Sequence, residues 1–189
     1  MQKRHFLFLF LSAVLIGGIL LLLPASQSAK LTLTDPSSGR VILAAVIGEG
    51  QKVSYTWTNS IFRIPVREVF VLQDGSLTLR EIASGNVQED TVPVTSANVE
   101  DLYHTGDEFY SNEMNRPFRR IAFRVGEIGM PRLEVGNHLV DFKQEVGFGG
   151  QIVLEVQPVR MYEVFLYRLK KDWPAHPTFG VSPMVSQPR

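Results

Sequence analysis

The chain has 189 residues, 44% of them hydrophobic, and carries 19 basic and 19 acidic side chains for a net charge of zero. That length suits one folded core. The charge balance leaves no field to recruit nucleic acid and no polybasic tract to hold anionic lipid by charge alone, and the absence of cysteine removes disulfides, thiolate nucleophiles and sulfur-ligated metal centres.

Lys3-Arg4-His5 precedes an uncharged apolar run from Phe6 to Leu23, and Pro24-Ala25-Ser26-Gln27-Ser28-Ala29 follows. A basic start before an apolar run sends a chain to the membrane and keeps its N-terminus cytoplasmic, so everything after Leu23 is expected to be extracytoplasmic. The run is about 18 residues long, more than most cleaved signal cores and at the lower edge of a spanning helix. Ala29 suits the last position before a cut, but Gln27 stands where a small residue is wanted. Residues 1–29 are therefore read as a signal peptide or signal anchor, with the uncleaved anchor preferred; cleavage would leave a secreted or periplasmic chain.

Lys30 to Thr34 alternates, and Asp35-Pro36-Ser37-Ser38-Gly39 carries the residues of a turn. Arg40 to Ile47 is β-branched and apolar, and Lys52 to Trp57 places Val53, Tyr55 and Trp57 on one face. After Thr58-Asn59-Ser60, the run Ile64 to Leu72 sets Ile64, Val66, Glu68 and Phe70 on one face, with Pro65 at a strand start or edge. Asp74-Gly75 is the clearest hairpin turn, and Leu77, Leu79 and Glu81 run back along its partner strand.

Between Ala83 and Arg116 the pattern loosens: Asp90 to Val94 reads as a short strand, Ala97 to Tyr103 as helical turns, and polar Thr105 to Arg116 as an exposed loop. Regularity returns in Phe118 to Val125, with Ile121 and Phe123 inward. A hairpin of Arg132–Val135 and His138–Phe142 follows, then a strand from Gln151 to Val156. Met161 to Leu169 fits a last strand or a helix, the helix being preferred. Beyond Lys171, Pro174, Pro177, Pro183 and Pro188 mark a flexible tail over 172–189.

Strands recurring every 8 to 12 residues or so, with turn chemistry between them, indicate an all-β domain over 30–171. The expected architecture is a single small sandwich or partly open barrel, preceded by an N-terminal membrane-targeting helix.

Motifs for chemistry are few. His5, His104, His138 and His176 are scattered. Asp101, His104, Asp107 and Glu108 form the one neighbourhood with donors for a divalent ion, but such polar loops are usually just solvated, so neither metal nor cofactor is expected. There is no G-x-S-x-G and no S-x-x-K. Gly147-Phe148-Gly149-Gly150 lacks the lysine and helix of a phosphate loop and reads as a turn.

Glu68 places a carboxylate where the alternation calls for an apolar residue. Either its face is the solvated one or it pairs with an arginine such as Arg80 or Arg63, the preferred reading, or it lies in a ligand pocket. Tyr162, Phe165, Tyr167, Leu169, Lys170, Lys171 and Trp173 give the last segment the content of an interfacial one, although packing over a sheet edge is the commoner outcome.

The stretch Asn59-Ser60-Ile61-Phe62-Arg63-Ile64-Pro65-Val66-Arg67-Glu68-Val69-Phe70 resembles the central pattern Y-x-H-S-V-x-x-x-P-V-x-E-x-F of domain-of-unknown-function family eighteen-fifty, agreeing at Ser60, Pro65, Val66, Glu68 and Phe70. LTLTDPSSGRVILA resembles that family's first hairpin, and Pro131 to Gly136 with the strand at Ile152 resembles its closing part, so the likeness covers about Leu31 to Pro158. Asn59 stands where the family pattern has histidine, and Ile82 to Asn86 replaces its glycine-rich aromatic stretch.

The family consists of small exported proteins often encoded beside TAXI-type tripartite ATP-independent periplasmic (TRAP) transporters, and it has no assigned activity. The resemblance implies an extracytoplasmic binding or accessory module at the membrane surface. Asn59, Ser60, Arg63 and Glu68 are its candidate ligand residues, a transporter subunit or small molecule its partner, and no catalytic residue is assigned. The alternative is a small extracytoplasmic hydrolase using Ser60 and Glu68.

Overall fold

The computed structural model describes residues 10–11, 14–18, 21–87 and 92–171. The chain is mostly β, in two antiparallel sheets, neither of them closed. In order it forms β1 (Pro24–Thr34), β2 (Val41–Gly48), β3 (Lys52–Thr58), β4 (Pro65–Gln73) and β5 (Ser76–Ser84). A 3-10 turn (Ser96–Asn98) and helix α1 (Val99–Thr105) follow, then β6 (Phe109–Ser111), β7 (Arg116–Phe118), β8 (Arg120–Arg124), β9 (Arg132–Val135) and β10 (His138–Asp141). Helix α2 (Phe142–Val146), β11 (Gln151–Arg160) and helix α3 (Met161–Lys171) complete it.

The smaller sheet runs β2-β1-β11-β8, and the larger runs β10-β9-β3-β4-β5-β6 with β7 also on β5. Alternation decides which side of each strand turns inward. Leu31 and Leu33 of β1, Ile152 and Leu154 of β11, Val53 and Tyr55 of β3 and Val66, Phe70 and Leu72 of β4 are all buried in one apolar cluster. Rings bridge the sheets: Tyr55 lies 4.4 Å from Phe123 of β8, and Phe142 at the start of α2 lies 5.8 Å from Tyr55 and 5.4 Å from Phe123. Each such side chain contributes roughly 1.5–3 kcal/mol of burial.

The β4–β5 hairpin turns at Asp74-Gly75 as expected, with φ of 50° and 70°. Glycine accepts such a φ without a Cβ clash.

Leu77, Leu79 and Glu81 all lie on β5, but Glu81 does not share a face with the two leucines. A bulge in β5 pairs Phe70 with Leu79 and Val69 with Glu81, which steps over Arg80 and moves Glu81 to the outer side. There Lys52 Nζ donates to Glu81 Oε1 at 3.0 Å. Thr105 to Arg116 is not simply an exposed loop, because Phe109, Ser111 and Met114 are buried and β6 adds an edge strand to β5. The apolar pair in that polar run supplies the burial that composition alone hid.

The strand expected to reach Phe142 stops at Asp141, whose Oδ1 accepts from Lys143 N–H at 3.1 Å and Gln144 N–H at 3.2 Å and so caps α2. The Ala97–Tyr103 helical turns are present within the 3-10 turn and α1. Of the Asp90–Val94 strand, residues 90–91 lie outside the described residues and 92–94 are not in a strand. The tail over 172–189 also lies outside them.

β1 begins at Pro24, within the segment read as signal or anchor. Ala25 and Ala29 are buried, Ser28 pairs with Gly48, and Gln27 C=O accepts from Glu49 N–H at 2.9 Å. Residues 14–18 and 21–22 of the apolar run are helical. Among the described residues no helix is long and apolar enough to cross a membrane; residues 1–9, 12–13 and 19–20 lie outside them.

Candidate functional site

The loop between β3 and β4 is built by Asn59. Its Oδ1 accepts from the N–H groups of Ile61 at 3.0 Å and Phe62 at 3.3 Å, its own N–H donates to Ile64 C=O at 2.9 Å, and its C=O accepts from Arg63 N–H at 2.7 Å. An asparagine amide reaching its own backbone two residues on is a turn-forming device. Arg63 completes the reversal with a φ of 59°.

The ring of Phe62 lies against Gly106, the left-handed residue that ends α1. A Cβ on Gly106 would run into that ring, so glycine is what lets the loop seat on the helix.

Asn59, Ser60 and Arg63 therefore sit together in one loop, with Ser60 and Arg63 exposed and their side chains making no hydrogen bond to a described residue. Glu68 is elsewhere. It pairs across the sheet with Tyr55 on one side and Ile82 on the other, both buried, so its side chain shares their core-facing side. Its partner is no arginine: Trp57 Nε1–H donates to Glu68 Oε1 at 3.2 Å. The solvated-face and arginine-pair readings are both corrected, because the alternation of β4 carries through Glu68 without a break and an indole two residues along β3 supplies the donor.

Around Glu68 the interior is unusually polar. Tyr103 of α1 stacks on Trp57 with centroids 6.3 Å apart, and Phe109 meets Tyr103 edge-on at 5.1 Å. The buried hydroxyls of Tyr103, Ser84 and Ser111 have no hydrogen-bond partner among the described residues. Burial pushes the Glu68 carboxyl above its ordinary value, while the Trp57 N–H, which favours the anion, pulls the other way. Burial, reinforced by the nearby Glu68, drives the hydroxyls of Tyr55 and Tyr103 well above the usual phenol range. Sequence reasoning missed Tyr103, because only the fold brings α1 onto Trp57.

A groove opens beside this cluster, where Trp57 and Val66 are among its lining residues. The groove, of about 990 Å³, is lined by Thr56, Trp57, Thr58, Arg67, Met130 and Arg132, among others. Register explains it: Arg132, Thr56, Arg67 and Ala83 are consecutive cross-strand partners along β9, β3, β4 and β5, so they form one row on the outer side of the sheet. Arg132 Nε–H donates to Asp141 Oδ2 at 3.2 Å, whereas half-buried Arg67 has no hydrogen bond or ion pair with a described residue.

Two guanidinium groups flanking a threonine hydroxyl, beside Trp57, Val66 and Met130, suit an anion with an apolar body. None of the four residues singled out from sequence lines the groove, but Glu68 holds the indole that does. The signal for Arg67 was available: it alternates with Glu68 on the same strand and so faces the opposite side.

Asp101, His104, Asp107 and Glu108, the one neighbourhood with donors for a divalent ion, are not drawn together around a common point. The Asp107 carboxylate accepts from Thr105, the Glu108 side chain lies against Gly85, and among the described residues no group of three or more His, Asp or Glu is gathered as a metal would need. No family model matches the chain, and neither a curated protein nor a solved structure matches it.

Proposed function

We propose that the chain is a non-enzymatic, extracytoplasmic binding module of β-sandwich form, held at the outer membrane surface by its N-terminal apolar helix and taking a small anionic ligand in the groove beside Arg67. The observation that carries this reading is Arg67 itself: a half-buried arginine lining a groove, unpartnered among the described residues and flanked by Thr56 and Arg132. A cation with unused donors is matched by a carboxylate or phosphate. The site residues of this reading are Thr56, Arg67 and Arg132, with Glu68 as a positioning residue for Trp57.

The uncleaved anchor is favoured by β1, since a cut after Ala29 would strip two buried residues, Ala25 and Ala29, and the pairing of Ser28 and Ala29 from the sheet. The motif from Asn59 to Phe70 supports membership of family eighteen-fifty and, through it, an association with TRAP-type solute uptake. The binding reading is preferred to a hydrolase using Ser60 and Glu68 because, among the described residues, Glu68 accepts from Trp57 and no hydrogen bond joins it to Ser60.

Titration of the purified chain with short carboxylates and inorganic phosphate tests the groove: binding lost in Arg67→Ala and kept in Ser60→Ala fits the proposal, and binding unaffected by Arg67→Ala does not. For the uptake association, crosslinking in the native membrane that recovers no transporter subunit would count against it.

A further inference from the structure

Helix α3 starts where the apolar run leaves the domain. Pro24 pairs with Arg160, and Met161 N–H donates to Leu23 C=O at 3.0 Å, so the last residue of the run and the first of α3 are bonded neighbours. The helix lies against β1, β2 and β11, turning half-buried Val164 and Tyr167 inward. Its other side has no partner among the described residues: Met161, Tyr162, Phe165, Leu166 and Leu169 are 47%, 36%, 56%, 50% and 52% exposed.

At 100° per residue these five occupy one arc of roughly 140°. Exposed Arg168 falls just outside one edge of the arc, and the sequence runs on into Lys170-Lys171. The apolar run is equally uncovered where it is described, with Val14, Leu15 and Ile16 57%, 66% and 58% exposed.

We infer that α3 is a membrane-interface helix, its Met161-Tyr162-Phe165-Leu166-Leu169 side dipping into the lipid headgroup boundary beside the anchor. The occupant of the arc is the bilayer because the two exposed apolar surfaces are continuous through the Leu23–Met161 bond. An anchor entering lipid at Leu23 brings α3 to the same depth. Amphipathic helices with aromatic and aliphatic residues on one side and cations at its margin lie in that plane, their apolar side some 5–10 Å deep. The helix would thereby fix the tilt of the domain on the membrane, which a single anchor leaves free. This inference rests on the anchored reading.

The full chain has no cysteine, so single spin labels report cleanly. Phe165→Cys, Leu169→Cys, Leu15→Cys and Ser37→Cys are each labelled, and the whole protein is reconstituted in phosphatidylcholine vesicles with a minority of phosphatidylglycerol. Collisions with lipid-soluble oxygen and with a water-soluble nickel chelate are then compared. Labels at 165, 169 and 15 are expected to meet oxygen in preference to nickel, and the label at 37, in the exposed β1–β2 turn, to show the reverse.

Nickel-dominated labels at 165 and 169 with an oxygen-dominated label at 15 overturn the inference while leaving the anchor intact. Labels at 165 and 169 shielded from both reagents indicate a protein partner and overturn it as well. A nickel-dominated label at 15 removes the anchor and this inference with it.

Discussion

Replacing Glu68 by glutamine isolates the most unusual group in the interior. The side chain is half-buried, its Oε1 accepts from Trp57 Nε1–H at 3.2 Å, and burial raises its pKa above the ordinary 4.5. A carboxyl raised on folding contributes stability that is fully present below its unfolded value and lost as pH rises through its folded value. Within that window the folded chain holds a proton that the unfolded chain has released, so stability falls by up to about 1.4 kcal/mol per pH unit.

Glutamine keeps an acceptor for the indole and has no proton to lose. Urea unfolding followed by far-ultraviolet circular dichroism, from about pH 4 to about pH 8, gives the difference between wild type and Glu68→Gln with the other carboxylates cancelled. That difference should move against the wild type as pH rises and then level off. Glu68→Leu, which leaves the Trp57 N–H without its acceptor, should be less stable than Glu68→Gln by about 1–3 kcal/mol at every pH. A difference curve flat in pH would mean that the carboxyl titrates as it does in water. Equal stabilities of the glutamine and leucine variants would mean that the Trp57 bond contributes nothing. Either result refutes the reasoning.

Phe142, fully buried against Tyr55 and Phe123, should cost about 3–5 kcal/mol when cut to alanine, read as a lower urea midpoint with an unchanged slope. Asn59→Ala removes the acceptor for Ile61 and Phe62 and should destabilise by about 0.5–1.5 kcal/mol in the same assay without altering ligand binding. The Asp35 carboxyl is held at about 2 by the hydroxyls of Ser37 and Ser38 and the Ser37 N–H. Its contribution is present above the unfolded value of 3.8 and lost as pH falls through about 2, so Asp35→Asn should be less stable than the wild type near neutral pH, with the difference closing as pH falls through that window. Intact-mass measurement of the protein from membranes should find residues 24–29 retained; a mature chain starting at Lys30 would contradict the anchored reading.

Much of the fold was legible because alternation and turn chemistry are local. Asp74-Gly75 announces its hairpin, and Val53-Tyr55 and Ile152-Leu154 declare their inward faces. What was not legible depended on partners remote in sequence. The bulge that displaces Glu81 is set by pairing with β4, the burial of Phe109 and Met114 by the sheet edge they cover, and the extension of β1 back to Pro24 by a β11 that begins more than a hundred residues later.

The site divides the same way. The motif residues Asn59 and Ser60 drew attention through their pattern, yet Asn59 is occupied in shaping its loop. Arg67, one position before the conspicuous Glu68, becomes interesting only when register aligns it with Thr56 and Arg132 across three strands. Tyr103, the neighbour of Trp57, carries no motif at all.

The central claim, an anion held at Arg67, is tested most directly by thermal unfolding of wild type and Arg67→Ala in the presence of acetate, hexanoate, succinate and inorganic phosphate in turn. A ligand present at a hundred times its Kd adds about 2.7 kcal/mol to stability, which for a domain of this size raises Tm by roughly 5–10 °C. The account predicts that at least one of these anions shifts the wild type by that order and leaves Arg67→Ala unmoved. No shift in the wild type with any of them, or equal shifts in both proteins, would contradict it.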